Sequence, residues 1–283
     1  MKRYYVTDLD GTLLRSDASL SDYTVQVVNE ALAEGIVISY ATARSYRSSN
    51  RVTSQIHWRY PVVLYNGAMI VDPVSQQVLG GHWLDHDVTN DIVAIGRTLS
   101  LAPFLFSLDD NDQERVLHEK LSRYGDIAFH ASRPGDPRFR EVEKLISPPA
   151  YRTLMVTYIG LRDELEPLFH AISDRYGESA HIQFIPDGYI DKHYFLEISH
   201  PNANKEHGLA LWCELVGCQR EDVTVFGDNL NDIGMFKQAG RPFAVADAHP
   251  ELKRMATDVI GSCNDDSVAK FIESELKGAR PCS

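Results

Sequence analysis

The sequence contains little cysteine: four among 283 residues, namely Cys213, Cys218, Cys263 and Cys282. No two of them have the CxxC spacing of a metal or redox pair, and they are too sparse for a disulfide scaffold. We therefore interpret all four as reduced structural thiols. A small disulfide-stabilised secreted domain is excluded.

A long apolar run is missing as well. No stretch approaches the ~20 residues that a membrane-spanning helix needs. The first apolar stretch, residues 4–14, carries two acids where a secretory signal would have an uninterrupted apolar region. We therefore expect a cytoplasmic protein without a membrane partner.

Positively charged residues are also relatively few. The sequence has 28 lysine and arginine residues against 40 aspartate and glutamate residues, which gives a formal net charge of −12. This charge disfavours non-specific binding to the phosphates of nucleic acid, so we expect no nucleic-acid partner. An anionic substrate would have to be met by local positive charge or by a metal ion.

What the sequence does contain is 43% hydrophobic residues, enough for a substantial core and, at this length, for two domains. Apolar strand-like runs alternate with amphipathic helical stretches, which is the pattern of a parallel sheet with helices on both faces. The elements predicted in the first third are a strand at 4–9, a helix at 21–34 capped by Ser21, a strand at 36–41, a helix within 44–57 and a strand at 62–66.

The middle of the chain, from about Trp83 to Pro186, is interpreted as an inserted domain. Its residues 133–150 hold four prolines and many charges, which predicts a long surface loop with or without one short helix. The other elements predicted there are a helix at 87–99, strands at 102–108 and 152–159, a helix at 162–176 and a strand at 180–186.

The alternation of the first third then resumes. The elements predicted are a strand at 194–198, a helix at 205–216, a strand at 223–227, a helix at 231–238, a strand at 243–246 and a helix at 266–277. The predicted fold is thus α/β: a doubly wound parallel-sheet core of Rossmann-like type, residues 1–82 and 190–283, with an inserted smaller α+β domain, residues 83–189.

Polar residues follow four of the predicted core strands. In an open parallel sheet, ligands bind outside the carboxyl ends of the strands, so residues there converge even when they are far apart in sequence. The residues concerned are Asp8 and Asp10 after the first strand, Thr42 and Arg44 after the second, Asn66 and Gly67 after the third, and Asp228, Asn231 and Asp232 after 223–227.

Acids that meet at one edge of a sheet repel each other unless a cation holds them. A single carboxylate pair could instead cap a turn or a helix, but Asp8, Asp10, Asp228 and Asp232 would all meet at this edge. Oxygen ligands without neighbouring cysteine or histidine suit a hard ion such as Mg²⁺. The sequence therefore predicts a magnesium site there.

These residues also carry a resemblance. "DLDGTLL" (8–14), "ATAR" (41–44), Lys205 at a helix start and "GDNLND" (227–232) resemble, in order and spacing, the four motifs of the haloacid dehalogenase superfamily. "YNGAMI" (65–70) is similar to a segment of its Cof-type phosphatases, in which a cap domain is inserted between the second and third motifs.

The resemblance implies catalytic and metal-binding roles. Asp8 would be the nucleophile that forms an aspartyl-phosphate, and Asp10 would be the general acid and then the general base. Mg²⁺ would be held by the Asp8 carboxylate, the Asp10 main-chain carbonyl and Asp228. Asp232 would be a further ligand, or would contact the ligands without contacting the ion itself.

Contacts to the phosphate are implied as well. Thr42 would donate its hydroxyl to a phosphoryl oxygen, Lys205 would neutralise charge on those oxygens, and Asn231 would add a hydrogen bond. The other residues assigned to this role are Leu9, Ala43, Arg44, Asn66 and Gly67. Two positions depart from the family pattern: Ala43 stands where glycine is usual, and "EHG" follows Lys205 where glycine usually comes at once.

Three other clusters have simpler interpretations. "HWLDHD" (82–87) is expected to be a charged linker into the inserted domain. "LDDND" (108–112) faintly resembles a calcium loop but lacks its glycine and its glutamate. In "DGYIDKHYFLEI" (187–198), Tyr189, Lys192 and His193 belong to a turn and a strand edge, or else contact the leaving group of a substrate.

The resemblance thus implies a Mg²⁺-dependent phosphatase of small phosphomonoesters, such as sugar, flavin or pyridoxal phosphates, with a cap that closes over the site. Two alternatives stay open: a phosphomutase, and a phospho-accepting switch whose Asp8 turns over poorly. The expected partner is a small phosphorylated metabolite. Whether the protein is a monomer or a dimer is left open.

Overall fold

A computed structural model of the chain describes residues 3–188 and 190–279. The chain divides into two compact units. The first consists of Met1–Gly81 together with Asn202–Ser283, and the second of His82–Pro201. In sequence, the second unit is therefore an insertion into the first.

The elements are numbered in chain order. The first unit opens with β1 (Tyr4–Thr7), α1 (Asp22–Ala33), β2 (Val37–Tyr40), α2 (Tyr46–Thr53), β3 (Val62–Leu64), β4 (Met69–Val71) and β5 (Val78–Gly81). The second unit holds α3 (His86–Thr98), β6 (Phe104–Leu108), β7 (Glu114–His118), α4 (Tyr124–Ala131), β8 (Phe139–Glu141), β9 (Arg152–Leu161), α5 (Arg162–Tyr176), β10 (His181–Pro186) and β11 (His193–Ser199). The first unit resumes with α6 (Lys205–Val216), β12 (Val223–Gly227), α7 (Ile233–Gln238), β13 (Arg241–Ala244), α8 (Pro250–Met255), β14 (Asp258–Val259) and α9 (Ser267–Ala279).

The first unit is built on a parallel sheet with the strand order β14-β13-β12-β1-β2. On β1, Tyr5 pairs with Thr224 of β12 on one side and with Ile38 of β2 on the other. Tyr5 and Val6 are both buried, as a strand covered on both faces requires. The helices pack in two groups, α1 with α9 and α6 with α7. The predicted doubly wound α/β fold is confirmed.

Helix α1 shows why the local prediction succeeds. Ser21 accepts a hydrogen bond from the N–H of Thr24 at 2.9 Å and so satisfies one of the free donors at the helix start. Its buried side chains recur at helical spacing and include Val28, Ala31 and Leu32. The helix ends before Gly35, whose φ of +84° stops it.

The third predicted core strand, 62–66, departs from the prediction. β3 meets the parallel sheet through the isolated bridge between Ala41 and Val63. Its full pairing is antiparallel, with β4, and β4 pairs in turn with β5. This three-stranded meander ends the first stretch of the unit, and neither β4 nor β5 is predicted from the sequence.

The second unit contains a six-stranded sheet in the order β10-β11-β9-β6-β7-β8. All pairs are antiparallel except β7 with β8. Helices α3 and α5 pack against β9 over an apolar core that includes Val156, Leu168 and Leu196. Phe129 of α4 contacts the rings of Phe104 and Phe195. This is the predicted α+β insertion.

The strand predicted at 194–198 was assigned to the wrong unit. β11 pairs with β10 and β9 inside the second unit, with Leu196 opposite Phe184 and Tyr158. The first unit therefore resumes at Asn202 and not at residue 190. A short apolar strand fits either sheet, and only the pairing decides between them.

The predicted loop 133–150 is also more ordered than expected. It contains β8, which pairs parallel with β7 through Val116 and Phe139, and no helix. Leu145 and Ser147 are buried, and the main-chain N–H of Leu145 is held by Glu119 at 2.8 Å. Its prolines restrict the backbone without excluding it from the core.

The described cysteines, Cys213, Cys218 and Cys263, are unpaired, and Cys282 lies outside the described residues. Across residues 3–188 and 190–279, no helix has both the length and the apolar character needed to cross a membrane.

Candidate active site

The first predicted strand end lies at the centre of the parallel sheet. Asp8 directly follows β1 and donates its N–H to the carbonyl of Phe226 on β12 at 2.9 Å, so the neighbouring strand fixes its backbone. The residue is 6% exposed. Residues 9–13 then form one wide turn, closed by a hydrogen bond from the N–H of Leu14 to the carbonyl of Leu9 at 2.8 Å. Leu9 is fully buried in the core, and its contact with phosphate stays a prediction.

Glycine is required at position 11 of this turn. Its φ is +75°, which disfavours any residue with a Cβ. A Cβ there would also lie 2.6 Å from Oδ2 of Asp228. The glycine therefore allows the end of β1 and the end of β12 to approach each other.

The second strand end holds Thr42, Ala43 and Arg44. Thr42 is 1% exposed and donates its N–H to Val63 at 2.9 Å. Its Oγ1 accepts the N–H of Arg44 at 3.2 Å, so the hydroxyl keeps its own proton for donation. Ala43 is exposed. The side chain of Arg44 forms an ion pair with Asp10, with 2.6 Å between Nη2 and Oδ1.

The third strand end is a tight turn of Tyr65, Asn66 and Gly67. All three have positive φ, 106° at Gly67. A Cβ at Gly67 would collide with the main-chain oxygen of Asn204, the residue that caps α6. Asn66 donates its N–H to the carbonyl of Thr42 at 2.9 Å, which joins this turn to the second strand end.

The fourth strand end follows β12. Asp228 is partly buried and accepts a hydrogen bond from the hydroxyl of Thr12 at 3.3 Å. Asp232 is fully buried, and its Oδ2 accepts the N–H groups of Asp228 and Asn229 at 3.0 and 3.1 Å. Asn231 is exposed and donates its side-chain amide to Asn66 at 3.2 Å. All four predicted strand ends are therefore linked.

Lys205 joins two of these carboxylates. The first residue of α6, it is 0% exposed. Its Nζ lies 2.5 Å from Oδ1 of Asp8 and 2.6 Å from Oδ1 of Asp232. The prediction that this lysine belongs to the site thus corresponds to two direct contacts, despite the unusual "EHG" that follows it.

The electrostatics of this group follow from its burial. Burial alone would lower the pKa of Lys205, but the carboxylates of Asp232 and Asp8 outweigh it and raise that pKa, so the ammonium stays charged. Burial raises the pKa of Asp8 well above its usual range; Lys205 opposes this rise, and Asp232 and Asp228 add to it. Burial and the charge of Asp232 also raise the pKa of Asp228.

The donor set fits a hard divalent cation. Carboxylate oxygens of Asp8, Asp228 and Asp232 lie within 4.8 Å of one another, and Lys205 supplies one positive charge against three carboxyls. Both oxygens of Asp232 are already used, by Lys205 and by two main-chain N–H groups. Asp8 and Asp228 are therefore the better placed ligands, while Asp232 orients the lysine and the turn.

Sequence reasoning missed three residues of this site. Thr12 hydrogen-bonds Asp228, Gly11 makes room for it, and Asn204 caps α6 by accepting the N–H of His207 at 3.0 Å. The signal for Asn204 was present, because asparagine directly before a predicted helix is a common N-cap. Gly11 and Thr12 both lie in the quoted segment "DLDGTLL", where neither was given a role.

Two of the other clusters have structural roles in the second unit. In 82–87, Leu84 is buried and forms a bridge with Thr153, and the ring of His82 stacks on that of His200 at 5.5 Å. The segment is thus the packed start of this unit and not a charged linker. In 108–112, Asp109 closes the turn from β6 to β7 by accepting the N–H groups of Asn111 and Gln113, at 2.9 Å each.

Residues 190–198 form a turn and then a strand, as expected. Lys192 is exposed with a φ of +59°, and His193 opens β11 with its ring 5.7 Å from that of Tyr124. Tyr189 lies outside the described residues. Contact with a leaving group stays a prediction for this stretch.

Comparison with known proteins places the chain in a family. A family model described as haloacid dehalogenase-like hydrolase matches residues 5–272. The 5-amino-6-(5-phospho-D-ribitylamino)uracil phosphatase YitU of Bacillus subtilis is 27% identical over 279 residues, which cover 94% of each chain. The pyridoxal phosphate phosphatase YbhA of Escherichia coli is 25% identical over 97% of this chain and 98% of its own.

The fold has close counterparts among solved structures. A haloacid dehalogenase-like hydrolase from Bacteroides thetaiotaomicron, 22% identical, aligns over 97% of this chain and 100% of its own with a TM-score of 0.77. With the relatives above, this confirms the predicted fold class and the predicted class of enzyme, a phosphoric monoester hydrolase. The chain belongs to the haloacid dehalogenase-like hydrolases.

Proposed function

We propose that this chain is a Mg²⁺-dependent phosphatase that hydrolyses small phosphomonoesters through a phosphorylated Asp8. The observation that carries the proposal is the buried contact of Lys205 with Asp8, beside the carboxylates of Asp228 and Asp232. A nucleophilic carboxylate approached by a phosphate dianion needs positive charge close by, and the lysine is positioned to provide part of it.

The first chemical step transfers the phosphoryl group to the protein. A carboxylate oxygen of Asp8 forms a bond to phosphorus while the bond from phosphorus to the ester oxygen breaks. Asp10 gives its proton to the departing oxygen, so that an alcohol leaves. Lys205 and the hydroxyl of Thr42 stabilise the charge that builds on the other phosphoryl oxygens.

The second step frees Asp8. Water attacks phosphorus and loses a proton to the carboxylate of Asp10, while the bond between phosphorus and the Asp8 oxygen breaks. Inorganic phosphate leaves, and both aspartates return to their starting states. One aspartate therefore acts as the nucleophile and the other as acid and then base.

Asp8, Asp228 and the main-chain carbonyl of Asp10 would hold the magnesium ion. When bound, the ion supplies positive charge that screens the carboxylate from the phosphate and orients the two for attack. Asp232 orients Lys205 and the main chain of Asp228 by accepting a hydrogen bond from each.

The proposed substrate class is a small phosphorylated metabolite. The two relatives act, by their names, on a phosphorylated ribitylamino-uracil and on pyridoxal phosphate, whose organic parts are unlike. Their common feature is the phosphomonoester, and that is the feature which the site of this chain recognises. A cytoplasmic location stays a prediction.

The test is phosphate release from p-nitrophenyl phosphate and a panel of sugar, flavin and pyridoxal phosphates, with Mg²⁺ and with a chelator. We expect turnover that needs Mg²⁺, is abolished in Asp8→Asn and is greatly reduced in Asp10→Asn. Asp22→Asn, an exposed carboxylate in the first turn of α1, is the matched control and should behave like the wild type.

Other outcomes would overturn the proposal. Conversion of one hexose monophosphate isomer into another without phosphate release would indicate a phosphomutase. A single phosphorylation of Asp8 without further turnover would indicate a phospho-accepting switch. Near-normal activity of Asp8→Asn would exclude the covalent mechanism.

A further inference from the structure

Arg44 and Asp10 form a two-point ion pair. Nε of Arg44 donates to Oδ2 of Asp10 at 2.7 Å, and Nη2 donates to Oδ1 at 2.6 Å. The two residues come from adjacent strand ends, after β2 and after β1. A planar guanidinium that meets a carboxylate in this way fixes its orientation as well as its distance.

Arg44 is itself held firmly. Its N–H donates to Oγ1 of Thr42 at 3.2 Å, and its carbonyl accepts the N–H of Tyr65 at 3.1 Å. Nη1 donates to the hydroxyl of Ser48 in α2 at 3.1 Å. Its main chain is therefore tied to the second and third strand ends, and its guanidinium is tied to a helix.

Asp10, in contrast, has few restraints of its own. Its side chain is 51% exposed, against 20% for Arg44, and it stands in the turn directly before Gly11. A solvated carboxylate in such a turn has several rotamers available. An acid and base must present one oxygen to the reacting atoms within hydrogen-bond reach, so an external restraint on this side chain has a clear use.

We infer that Arg44 is a positioning residue for Asp10, holding that carboxyl in the orientation from which it exchanges its proton. This inference rests on the proposed function. It gives Arg44 a different task from the phosphate contact that the family resemblance implies. When Asp10 carries the proton, one oxygen still accepts from Arg44 while the protonated oxygen donates to the leaving group. As a base, Asp10 is held by both contacts.

The leaving group provides the readout. p-Nitrophenolate departs without a proton, whereas an alkoxide needs one, and general acid catalysis is worth on the order of 10²–10⁴ in rate. Loss of the orientation of Asp10 therefore slows an alkyl phosphate more than p-nitrophenyl phosphate. Loss of a phosphate contact slows both alike, because both substrates carry the same phosphate.

The experiment compares kcat/KM for p-nitrophenyl phosphate and for the best alkyl phosphate of the panel, since kcat/KM reports the first chemical step. The variants are Arg44→Gln and Arg44→Lys, with Arg51→Gln as the control: Arg51 is an exposed arginine in the last turn of α2. In Arg44→Gln we expect the loss for the alkyl phosphate to exceed that for p-nitrophenyl phosphate by about tenfold or more. Arg44→Lys should show the same imbalance, because lysine keeps the charge but not the two-point contact. Arg51→Gln should show none.

The same comparison in an Asp10→Asn background completes the test. There, Arg44→Gln should add less than about threefold, because the residue it positions is gone. Equal losses for both substrates, full rescue by lysine, or an undiminished effect in the Asp10→Asn background would each overturn the inference and leave the phosphatase proposal standing. A gain in kcat/KM would also overturn it, since Arg44 would then hold Asp10 out of use. A wild-type protein that hydrolyses neither substrate would remove both proposals.

Discussion

The Nζ atom of Lys205 lies 2.5 Å from Oδ1 of Asp8, although 197 positions separate the two residues in sequence. The entire second unit, His82–Pro201, lies between them in the chain. The contact forms because β1 and β12 pair side by side in the sheet and α6 begins at the same edge. Four predictions concern this site and the two units.

Lys205→Met should both destabilise the protein and inactivate it. The substitution leaves Asp8 and Asp232 buried without their cation, which typically costs about 3–5 kcal/mol of unfolding free energy. Denaturant unfolding of this variant measures the loss, and Lys237→Met, at an exposed lysine of α7, is the control. Wild-type stability of Lys205→Met would contradict the buried ion-pair interpretation.

Asp228→Asn and Asp232→Asn should fail in different ways. Asp228→Asn removes a proposed metal ligand, so the Mg²⁺ concentration needed for half-maximal activity should rise about tenfold or more. Asp232→Asn loses charged contacts with Lys205 and with two N–H groups, so its main effect should be a lower unfolding free energy, by about 2–4 kcal/mol. Mg²⁺ titrations and denaturant unfolding of both variants distinguish the two roles. Equal changes in Mg²⁺ requirement and in unfolding free energy for the two variants would contradict these separate roles.

Gly11→Ala and Gly35→Ala make a matched pair. Both glycines have positive φ, +75° and +84°, so each alanine pays about 1 kcal/mol of backbone strain. Only at Gly11 does the new Cβ meet another group, Oδ2 of Asp228 at 2.6 Å, whereas nothing lies within 4 Å at Gly35. We expect Gly11→Ala to lose at least about tenfold in activity and Gly35→Ala to keep it. Phosphate release measured side by side decides this, and equal activity of the two variants would show that the close approach is unimportant.

The contribution of Glu197 on β11 to stability should fall as pH rises. Burial raises the pKa of this carboxyl from 4.5 to about 7, and its cross-strand neighbours, Gln183 and Thr157, are uncharged. Between these two pH values the folded state binds the proton more tightly than the unfolded state, so raising the pH through this window removes stability.

Glu197→Gln should remove this contribution. At pH 8 the variant should be more stable than the wild type by about 1–3 kcal/mol, and at pH 4, where the wild-type carboxyl is protonated in both states, the two should be alike. Denaturant unfolding at the two pH values measures the difference. The prediction would be disproved if the difference in unfolding free energy between Glu197→Gln and the wild type were the same at pH 8 as at pH 4.

Strong local signals predicted several elements with the observed bounds. Helix α5 at 162–176, helix α6 at 205–216 and strand β12 at 223–227 are examples. Their patterns lie within the element and the residues next to it. For example, α6 starts after the cap Asn204 and stops at Gly217, whose φ is +74°. Such signals depend only on residues that are neighbours in sequence, so they can be recognised before the fold is known.

The failures share a different cause. The strands β4, β5, β7, β8 and β14 and the helices α4 and α8 were not predicted, and β11 was assigned to the wrong sheet. The strands among them are stabilised by pairing across the chain, as when Leu196 meets Tyr158 and Phe184, and α4 packs through Phe129 against Phe104 and Phe195. Their own sequences do not specify the partner strand.

For the candidate site, the sequence by itself determined which chemical groups stand at the strand ends. It supplied Asp8, Asp10, Asp228 and Asp232 at the edge where parallel strands present ligands, because the end of each strand and the turn residues after it are recognisable from the local sequence.

Only the tertiary structure decided which of these groups meet. It engaged both oxygens of Asp232 with Lys205 and the following turn, set Arg44 against Asp10, and joined Asn231 to Asn66. Hydrogen-bond partners depend on separations of a few ångströms between segments far apart in the chain. Those separations are set by how the strands and helices pack and not by any one segment.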